Sequence, residues 1–445
     1  MAARRILLGD EPVASLDEYR ARGGGSGLAA ADRLGPDGVV GMVRASGLRG
    51  RGGAGFPAGV KWAGLRGGER GRRSVVCNAA EGEPGTYKDR WLMRQNPYQV
   101  LEGLAIAAYA VGAERAYIGV KAKFVDEIER ITTAAAEMDA AGLLADVPVV
   151  IVPGPDDYLF GEEKGLLEVI EGRDPLPRLY PPYVMGLFAN GAAAPGDDAN
   201  PAVVNNVETL CNVPHILANG AEWFRSFGTV DTPGTMVFTI CGDVRWEGVA
   251  ELEMGTPLAT LVYGVGRGLE AGRRPRLIVG GASNRPLTPG ALDTPLDFGS
   301  MRRVGAGLGS GGFVVYDDTV CVVQVAAAMS AFLFRGSCGQ CPPCKLGTEA
   351  ITERFTRFAV GGGGVDDLQE IAGWIVRVTD ANRCGLGAGQ QAFAQGILED
   401  FAADLADHLD AEPCSSDRRV VAPVIESWDS ARGRFSYATP GSCGE

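Results

Sequence analysis

Three cysteines at intervals of three residues indicate an iron–sulfur cluster. Cys338, Cys341 and Cys344 are separated by Gly, Gln and Pro residues, which form a loop that can point all three sulfurs at one centre. A [4Fe–4S] cluster takes four thiolates. The fourth must come from elsewhere, and Cys384 is the candidate. A zinc site is the alternative, although neither histidine of the chain lies near these cysteines in sequence.

Composition limits the classes of protein that could carry this loop. The 445 residues suggest about three domains, and a hydrophobic share of 46% excludes whole-chain disorder. The net charge of −13 argues against a nucleic-acid or anionic-membrane partner. The longest apolar run, residues 320–334, is too short to insert in a membrane, and the start lacks a signal peptide. We expect a cytoplasmic protein, peripheral to the inner face of the cell membrane only through partner subunits.

Hydrophobic patterning predicts the elements that position the cysteines. Between residues 74 and 155, β-type runs alternate with helical stretches, which predicts a β-α-β-α-β layer. Three short strands follow in a loop-bounded region, and then four helices that predict a bundle. The predicted division is a weakly patterned N-terminal extension (1–45), an α/β domain (46–232), a small β-rich domain (233–318), a helical domain (319–410) and an irregular tail (411–445).

A glycine-rich loop precedes the first predicted strand. Residues 50–55 satisfy G-x-G-x-x-G, but residues 39–46 before them predict a helix rather than the strand that a dinucleotide fingerprint requires. Exposed amides together with Arg49, Arg51 and Lys61 would suit a phosphate or the edge of a flavin. A mobile surface loop is the alternative.

Two acidic clusters accompany these elements. Residues 81–86 come directly off a predicted strand end after Asn78, and residues 161–163 precede a helical run. Ligands bind at strand ends in open sheets. These acidic pairs could therefore bind ribose hydroxyls or a metal, and solvated turns are the alternative.

Taken together, these segments resemble the flavin- and NADH-binding subunit of respiratory complex I, a family shared with NAD-linked hydrogenases and formate dehydrogenases. The resemblance implies an FMN-binding α/β domain, a ubiquitin-like β-grasp (SLBB-type) domain and a four-helix bundle that carries the cluster. The matching segments occur in family order at residues 47–57, 61–62, 81–86, 88–90, 161–163, 204–210 and 337–341.

The resemblance also implies roles for individual residues. FMN would be bound by the glycine-rich loop and by polar groups after it, namely Gly50, Arg51, Gly52, Gly53, Gly55, Lys61, Asn78, Glu81, Gly161, Glu162, Asn205, Asn206 and Thr209. NADH would stack on the flavin near Phe56 and Tyr158, with Glu83 and Glu163 as the catalytic contacts and Tyr183 as a further stacking group. Electrons would pass through the cluster to a ferredoxin-like or thioredoxin-like [2Fe–2S] subunit.

Four positions depart from the family pattern. Ala80 stands where the family has an acid, Tyr180 where it has a lysine, and Gly64 where an aromatic residue is common. Lys164 follows the Gly-Glu-Glu segment in place of threonine. We expect FMN and cluster binding to be retained, and affinity for NADH to be the property that these changes affect.

Three hypotheses about function follow. The first is a subunit that oxidises NADH at FMN and passes single electrons through the cluster to a redox partner or a quinone-reducing complex. The second is a divergent electron-transfer flavoprotein that exchanges electrons with a ferredoxin-like partner and has little NADH activity. The third is a non-catalytic scaffold, and the retention of Lys61, residues 161–163 and the four cysteines argues against it.

Overall fold

The computed structural model describes residues 4–67, 72–144, 147–189, 199–409, 418 and 420–438. The chain divides into two units. The first contains residues 1–81, 87–237 and 251–256, and the second contains residues 82–86, 238–250 and 257–445.

A four-stranded parallel sheet lies at the centre of the first unit. Its strands are β1 (Ser74–Ala79), β2 (Arg115–Lys121), β3 (Val149–Gly154) and β4 (Ala202–Asn206). Their spatial order is β3-β2-β1-β4. The first three strands confirm the predicted β-α-β-α-β layer. The fourth was missed, because it lies in a stretch that we expected to be loop-rich up to residue 232, and its pairing with β1 is a long-range contact.

Helices cover the sheet and fill the N-terminal region. They are α1 (Leu16–Ala21), α2 (Ser26–Ser46), α3 (Ala58–Arg66), α4 (Lys88–Gln95), α5 (Pro97–Val111), α6 (Val125–Ala140), α7 (Glu163–Ile170), α8 (Val207–Asn219) and α9 (Ala221–Arg225). The weak patterning predicted for residues 1–45 is wrong, since α2 packs against α5 and α8. Its Val39 and Val43 are fully buried.

The second unit begins with a mixed four-stranded sheet. Its strands are β5 (Thr235–Gly242), β6 (Gly248–Glu253), β7 (Pro275–Val279) and β8 (Gly312–Asp317), in the order β6-β5-β8-β7. Strands β5 and β8 run parallel at its centre, and β7 is antiparallel to β8. Short helices connect the strands, including α10 (Phe298–Arg303). This sheet agrees with the predicted small β domain, to which the structure adds β6.

The predicted bundle follows the sheet. Its helices are α11 (Val322–Gly336), α12 (Pro342–Ala359), α13 (Val365–Arg377), α14 (Leu386–Asp400) and α15 (Ala402–Ala406). Helix α11 packs along α12, and α13 and α14 complete the group. None of the helices in the described ranges has the length and apolar character needed to cross a membrane.

The tail is not irregular throughout, and that prediction is wrong. Strands β9 (Ile425–Asp429) and β10 (Arg434–Tyr437) form an antiparallel hairpin. Trp428 of β9 packs against Phe435 of β10 and against Trp246, with ring centroids 4.9 and 6.2 Å away. The aromatic residues therefore fix a hairpin where charge and small residues dominate the sequence.

Helix packing in the first unit depends on glycine at one crossing, and we expect Gly103→Ala to destabilise it. A Cβ at Gly103 of α5 would lie 2.1 Å from the carbonyl oxygen of Leu210 in α8. Overpacking of this kind costs about 1–3 kcal/mol, which a lower urea midpoint would report. The matched control is Gly41→Ala in α2, where a Cβ meets nothing within 4 Å and where we expect a small gain. Equal effects of the two changes would contradict the packing argument.

Candidate functional site

The pairing of β1 with β4 creates the edge at which the site is built. Asn78 near the end of β1 lies opposite Asn206 at the end of β4, in parallel register. Strand β2 continues the sheet on the other side of β1, so the strand order reverses beside β1. In open parallel sheets, ligands bind outside the carboxyl ends of strands at such a reversal. The structure thus brings together two asparagines that are far apart in the sequence.

The glycine-rich loop closes on itself before it enters α3. The amide of Gly50 donates to the carbonyl of Phe56 at 2.8 Å, and the amide of Ala58 donates to Leu48 at 2.9 Å. The absence of side chains lets the loop approach β4, since a Cβ at Gly52 would lie 3.1 Å from Cβ of Asn206. The loop is therefore a glycine-lined approach to the carboxyl edge of the sheet.

Arg51 does not present its charge at this loop, which corrects the expected exposed cationic group. Its side chain is fully buried, and it donates to the carbonyls of Pro233 at 2.9 Å and Thr235 at 3.2 Å. Its amide donates to Oγ1 of Thr209 at 2.9 Å. Burial lowers the pKa of Arg51 to about 10. Arg51 and Thr209 thus anchor the loop from beneath, and a contact with FMN through its backbone stays a prediction.

Lys61 and Glu163 form an ion pair in the first unit. Nζ of Lys61 donates to Oε2 of Glu163 at 2.8 Å and to the carbonyl of Val204 in β4 at 2.8 Å. Glu162 caps α7, because its Oε2 accepts from two amides of the first turn at 2.8 and 2.9 Å. Burial raises the pKa of Glu162. The two neighbouring carboxylates therefore have different surroundings and partners.

Asn78 ties the acidic turn to the sheet. Its Nδ2 donates to the carbonyl of Gly161 at 2.7 Å, and its Oδ1 accepts from the amide of Ala80 at 3.2 Å. The turn Tyr158–Gly161 is a 3-10 helix directly before Glu162. The structure thus joins predicted site residues from three separate segments: the end of β1, this turn and the loop before α3.

Asn205 supplies the clearest test of whether a flavin fits. Its side chain is buried in β4, and its Oδ1 accepts from Nε1 of Trp62 at 3.4 Å. Its Nδ2 has no hydrogen-bond partner among the described residues. Leaving a buried donor unpaired costs about 1–3 kcal/mol, so this amide suits a ligand that accepts a hydrogen bond. The carbonyl, phosphate and hydroxyl oxygens of FMN are such acceptors, and the residues present fit the cofactor.

A buried ionic cluster supports the neighbouring Asn206. Nδ2 of Asn206 donates to Oδ2 of Asp89 at 2.6 Å, and its Oδ1 accepts from Nζ of Lys88 at 3.0 Å. The same Nζ lies 2.7 Å from Oδ1 of Asp89 and 2.9 Å from Oε2 of Glu208. Sequence reasoning missed these charges as a cluster, although residues 88–90 carry part of the resemblance. Three charged residues at the start of a helix were the available signal.

The charges in this cluster compensate one another. Burial raises the pKa of Asp89 to about 6, against the opposing effect of Lys88. Burial also raises the pKa of Glu208. Burial acts to lower the pKa of Lys88, but Asp89 and Glu208 outweigh it and the pKa lies above its ordinary value. Glu81 belongs to the same network, since its Oε2 accepts from Nε of Arg90 at 2.8 Å. For Glu81 and Asn206, contact with FMN stays a prediction.

Two predicted stacking residues expose aromatic rings. Phe56 follows the glycine-rich loop and is 55% exposed, and Tyr183 is 66% exposed. Tyr158 is half-buried. Glu83 belongs to the second unit, whereas Glu163 belongs to the first. Contact of these residues with NADH therefore stays a prediction.

The cysteine loop lies at the start of α12, where a neighbouring segment reaches it. Cys341 precedes the helix and Cys344 is buried in its first turn. The amide of Arg383 donates to Sγ of Cys341 at 3.3 Å, and its guanidinium donates to Oε1 of Gln340 at 2.6 Å. These contacts hold the residue next to Cys384 against the loop. They support Cys384 as the fourth ligand, which sequence spacing alone could not decide.

Polar groups surround the sulfurs. Nε2 of Gln340 donates to Sγ of Cys338 at 3.5 Å, and Oγ of Ser337 lies 3.7 Å from Sγ of Cys344. Burial raises the pKa of the Cys344 thiol. Within the described ranges, no three or more His, Cys, Asp or Glu side chains are grouped to hold a single metal ion. Hydrogen bonds to sulfur help set the potential of an iron–sulfur cluster.

The remaining cysteines lie apart from this loop. Those with described positions are buried free thiols, namely Cys77, Cys211, Cys241 and Cys321. Burial raises the pKa of Cys77 and of Cys241, so both thiols stay protonated. Cys414 and Cys443 lie outside the described residues.

Comparisons with known proteins agree with both sites. Residues 43–215 match the family described as Nuo51 FMN-binding domain, and residues 324–408 match the NADH-ubiquinone oxidoreductase-F iron-sulfur binding region. The second of the F subunits of NADH-quinone oxidoreductase in Rhizobium meliloti is 38% identical over 411 residues, which are 90% of this chain and 95% of the relative. The chain belongs to the family of NADH-quinone oxidoreductase F subunits.

Further relatives of this F subunit extend the comparison. The NADP-reducing hydrogenase subunit HndC of Solidesulfovibrio fructosivorans is 34% identical over 90% of this chain and 82% of its own. A crystal structure of an NAD+-reducing [NiFe]-hydrogenase in the H2-reduced state is 30% identical, with a TM-score of 0.79. That match covers 92% of this chain and 66% of the hydrogenase chain.

Family membership settles the cofactors and the class of enzyme. This F subunit binds FMN and a [4Fe–4S] cluster and is an NADH dehydrogenase-type electron-transfer subunit of a multi-subunit complex. The zinc alternative for the cysteine loop is thereby set aside, as is the scaffold hypothesis. The family does not by itself assign individual ligands.

We expect Cys384→Ser to abolish the electron paramagnetic resonance signal of the reduced cluster, because a [4Fe–4S] cluster needs four thiolates. FMN content should not change, since Asn205 and the glycine-rich loop belong to the first unit. Cys211→Ala is the matched control, a buried free thiol in α8. An unchanged signal in Cys384→Ser would show that another residue is the fourth ligand.

We expect Asn205→Ala to weaken FMN binding, because the variant lacks the buried donor that awaits a ligand. A hydrogen bond to the charged phosphate is worth about 1.5–3 kcal/mol and one to a neutral carbonyl about 1 kcal/mol, so Kd should rise at least fivefold. Flavin fluorescence in a titration of apoprotein measures it. Asn219→Ala is the control, an exposed residue bonded only to its own helix at His215. Equal affinities in both variants would remove Asn205 from the flavin site.

Proposed function

We propose that this F subunit uses NADH as the electron donor at a flavin bound outside the carboxyl ends of β1 and β4. FMN, when bound, accepts a hydride and releases electrons singly, and the [4Fe–4S] cluster conducts single electrons. The observation that supports this site most directly is the buried, unpartnered Nδ2 of Asn205. It lies in the same strand whose Asn206 packs against the glycine-rich loop at Gly52.

The residues assigned to the two cofactors have distinct tasks. The loop amides and Asn205 would bind and orient FMN, and Asn78 would hold the acidic turn beside it. Lys61 would keep the Glu163 carboxylate ionised and fixed in place. Phe56 and Tyr183 would offer ring faces to the nucleotide. Cys338, Cys341, Cys344 and Cys384 would ligate the cluster.

A divergent flavoprotein with little NADH activity is the second candidate, and one observation favours it. A Cβ at Gly64 meets no atom within 4 Å, so the position where the family often has an aromatic ring is open space. Tyr180 replaces the family's lysine and is partly exposed. Both changes remove contacts that a nicotinamide nucleotide would otherwise gain.

The partner would be a ferredoxin-like or thioredoxin-like [2Fe–2S] subunit that docks at the cysteine loop. Cys338, Cys341 and Cys384 are all partly exposed, so a second protein could approach the sulfur ligands. Through such partners the chain would be held at the inner face of the cell membrane.

An anaerobic titration with NADH tests the proposed donor. Purified protein loaded with FMN and cluster is mixed with NADH, and the visible flavin band is followed. Rapid bleaching at modest NADH supports the NADH dehydrogenase. Absence of bleaching by NADH, with full bleaching by dithionite, would overturn it in favour of the second candidate.

We expect Glu83→Gln to slow flavin reduction by NADH at least tenfold, because removing a charge-assisted contact costs about 1.5–3 kcal/mol. Reduction by dithionite, which needs no nucleotide site, should not change. Stopped-flow absorbance separates the two reactions. Glu114→Gln is the control, an exposed carboxylate that pairs with Arg72 at 3.7 Å. Equal slowing with NADH and dithionite would show that Glu83 does not contact the nucleotide.

A further inference from the structure

The last described segment of the chain, residues 418 and 420–438, is here named the C-terminal strap. Neither family match extends beyond residue 408, so the strap has no role assigned by the family descriptions. It belongs to the second unit, as do residues 82–86, here named the acidic loop. The contacts between these two segments lie within one unit.

An ion pair anchors the start of the strap. Nη1 and Nη2 of Arg418 each lie 2.7 Å from a carboxylate oxygen of Asp243, in a two-pronged arrangement. Nη1 also lies 3.5 Å from Oδ1 of Asp317 at the end of β8. Bidentate pairs between arginine and a carboxylate fix both distance and orientation.

A buried carboxylate anchors the end of the strap. Oε2 of Glu247 accepts from the amide of Phe435 at 2.8 Å, and its Oε1 accepts from the hydroxyl of Tyr437. The side chain of Glu247 is buried. Gly433 turns the hairpin with a φ of 62°, and a Cβ there would lie 2.3 Å from the ring of Trp246. The hairpin therefore has a defined seat on the sheet of the second unit.

Between its two anchors the strap holds the acidic loop. The amide of Gly85 donates to the carbonyl of Pro423 at 2.9 Å. On its other side Gly85 meets β8, where a Cβ would lie 2.6 Å from Cγ2 of Val314. Oγ1 of Thr86 lies 2.9 Å from Oγ of Ser310. The end of the acidic loop is thus clamped between the strap and β8.

Glu83 lies two residues before this clamp. Its Oε1 accepts from the amide of Ser283 at 3.3 Å. A Cβ at Gly281, whose φ is 78°, would come within 2.6 Å of the same oxygen. Glu83 is therefore packed on the turn of residues 281–283, while the strap fixes the backbone of its loop through Gly85.

We propose that the C-terminal strap positions Glu83 for nucleotide binding by holding the acidic loop in one conformation. The loop sequence Gly-Glu-Pro-Gly contains two residues without side chains and has few contacts of its own. Holding such a loop in advance reduces the entropy lost when a ligand binds. This inference rests on the proposed function, because it assigns Glu83 to the nucleotide.

The test loosens the strap in the full-length protein loaded with FMN and cluster. One variant is Arg418→Met, which removes the first anchor. A second combines Arg418→Met with Trp428→Ser, which also removes the hairpin ring packed at 4.9 Å on Phe435. The control is Arg432→Met, on the exposed hairpin turn beside Asp429. Arg418 and Arg432 differ in their partners but not in residue type.

The first readout is amide hydrogen exchange, which does not depend on activity. Loss of one net protein hydrogen bond corresponds to roughly a tenfold change, so the amide of Gly85 should exchange roughly tenfold faster in the double variant. Arg432→Met should leave this exchange unchanged. Faster exchange in the hairpin without any change in residues 82–86 would overturn the proposal.

The second readout separates binding from the chemical step. With ferricyanide as the acceptor, we expect KM for NADH to rise severalfold in the double variant while kcat stays within about twofold, since pre-ordering affects mainly binding. Faster exchange at Gly85 with an unchanged KM would overturn the role in nucleotide binding. Failure of NADH to reduce the wild-type flavin would instead overturn the proposed function, and the exchange data would still decide whether the strap holds the loop.

Discussion

The parallel pairing of β1 with β4 is the contact on which the flavin site depends. It places Asn78 opposite Asn206 and, because β2 lies on the other side of β1, it creates the reversal of strand order at which open sheets bind ligands. The glycine-rich loop then needs only the space that Gly52 leaves beside Asn206. A sheet without β4 would keep its β-α-β layer and lose the site.

That edge is polar, and its polar groups are balanced in a low-dielectric interior. Lys88 compensates Asp89 and Glu208, and Arg51 donates to backbone carbonyls beneath the loop. Unpaired buried charges would be costly, so these ions occur as a set rather than singly. The exception is Nδ2 of Asn205, a donor left without a partner among the described residues where the cofactor is to supply the acceptor. Most of the network is thus complete before the flavin binds.

The second unit treats its cofactor differently. The ligands for the cluster come from helix ends, with Cys341 before α12 and Cys384 before α14, and Arg383 joins the two segments by its bond to Cys341. Only side-chain and amide donors near sulfur remain to tune the cluster. The same unit holds the acidic loop against β8 and the strap, so its two functional segments depend on separate parts of one fold.

The sequence by itself determined the features whose geometry is local. The cysteine spacing defines a loop that indicates the cluster, and the alternation of apolar runs predicted three strands of the first sheet and the helices of the bundle. Tertiary structure decided what depends on residues far apart: the pairing of β4, the inward turn of Arg51, the cluster of Lys88 with Glu208, and the hairpin that Trp428 secures. The reason is physical, since a spacing of three or four residues fixes local geometry, whereas burial and long-range partners exist only once the chain has packed.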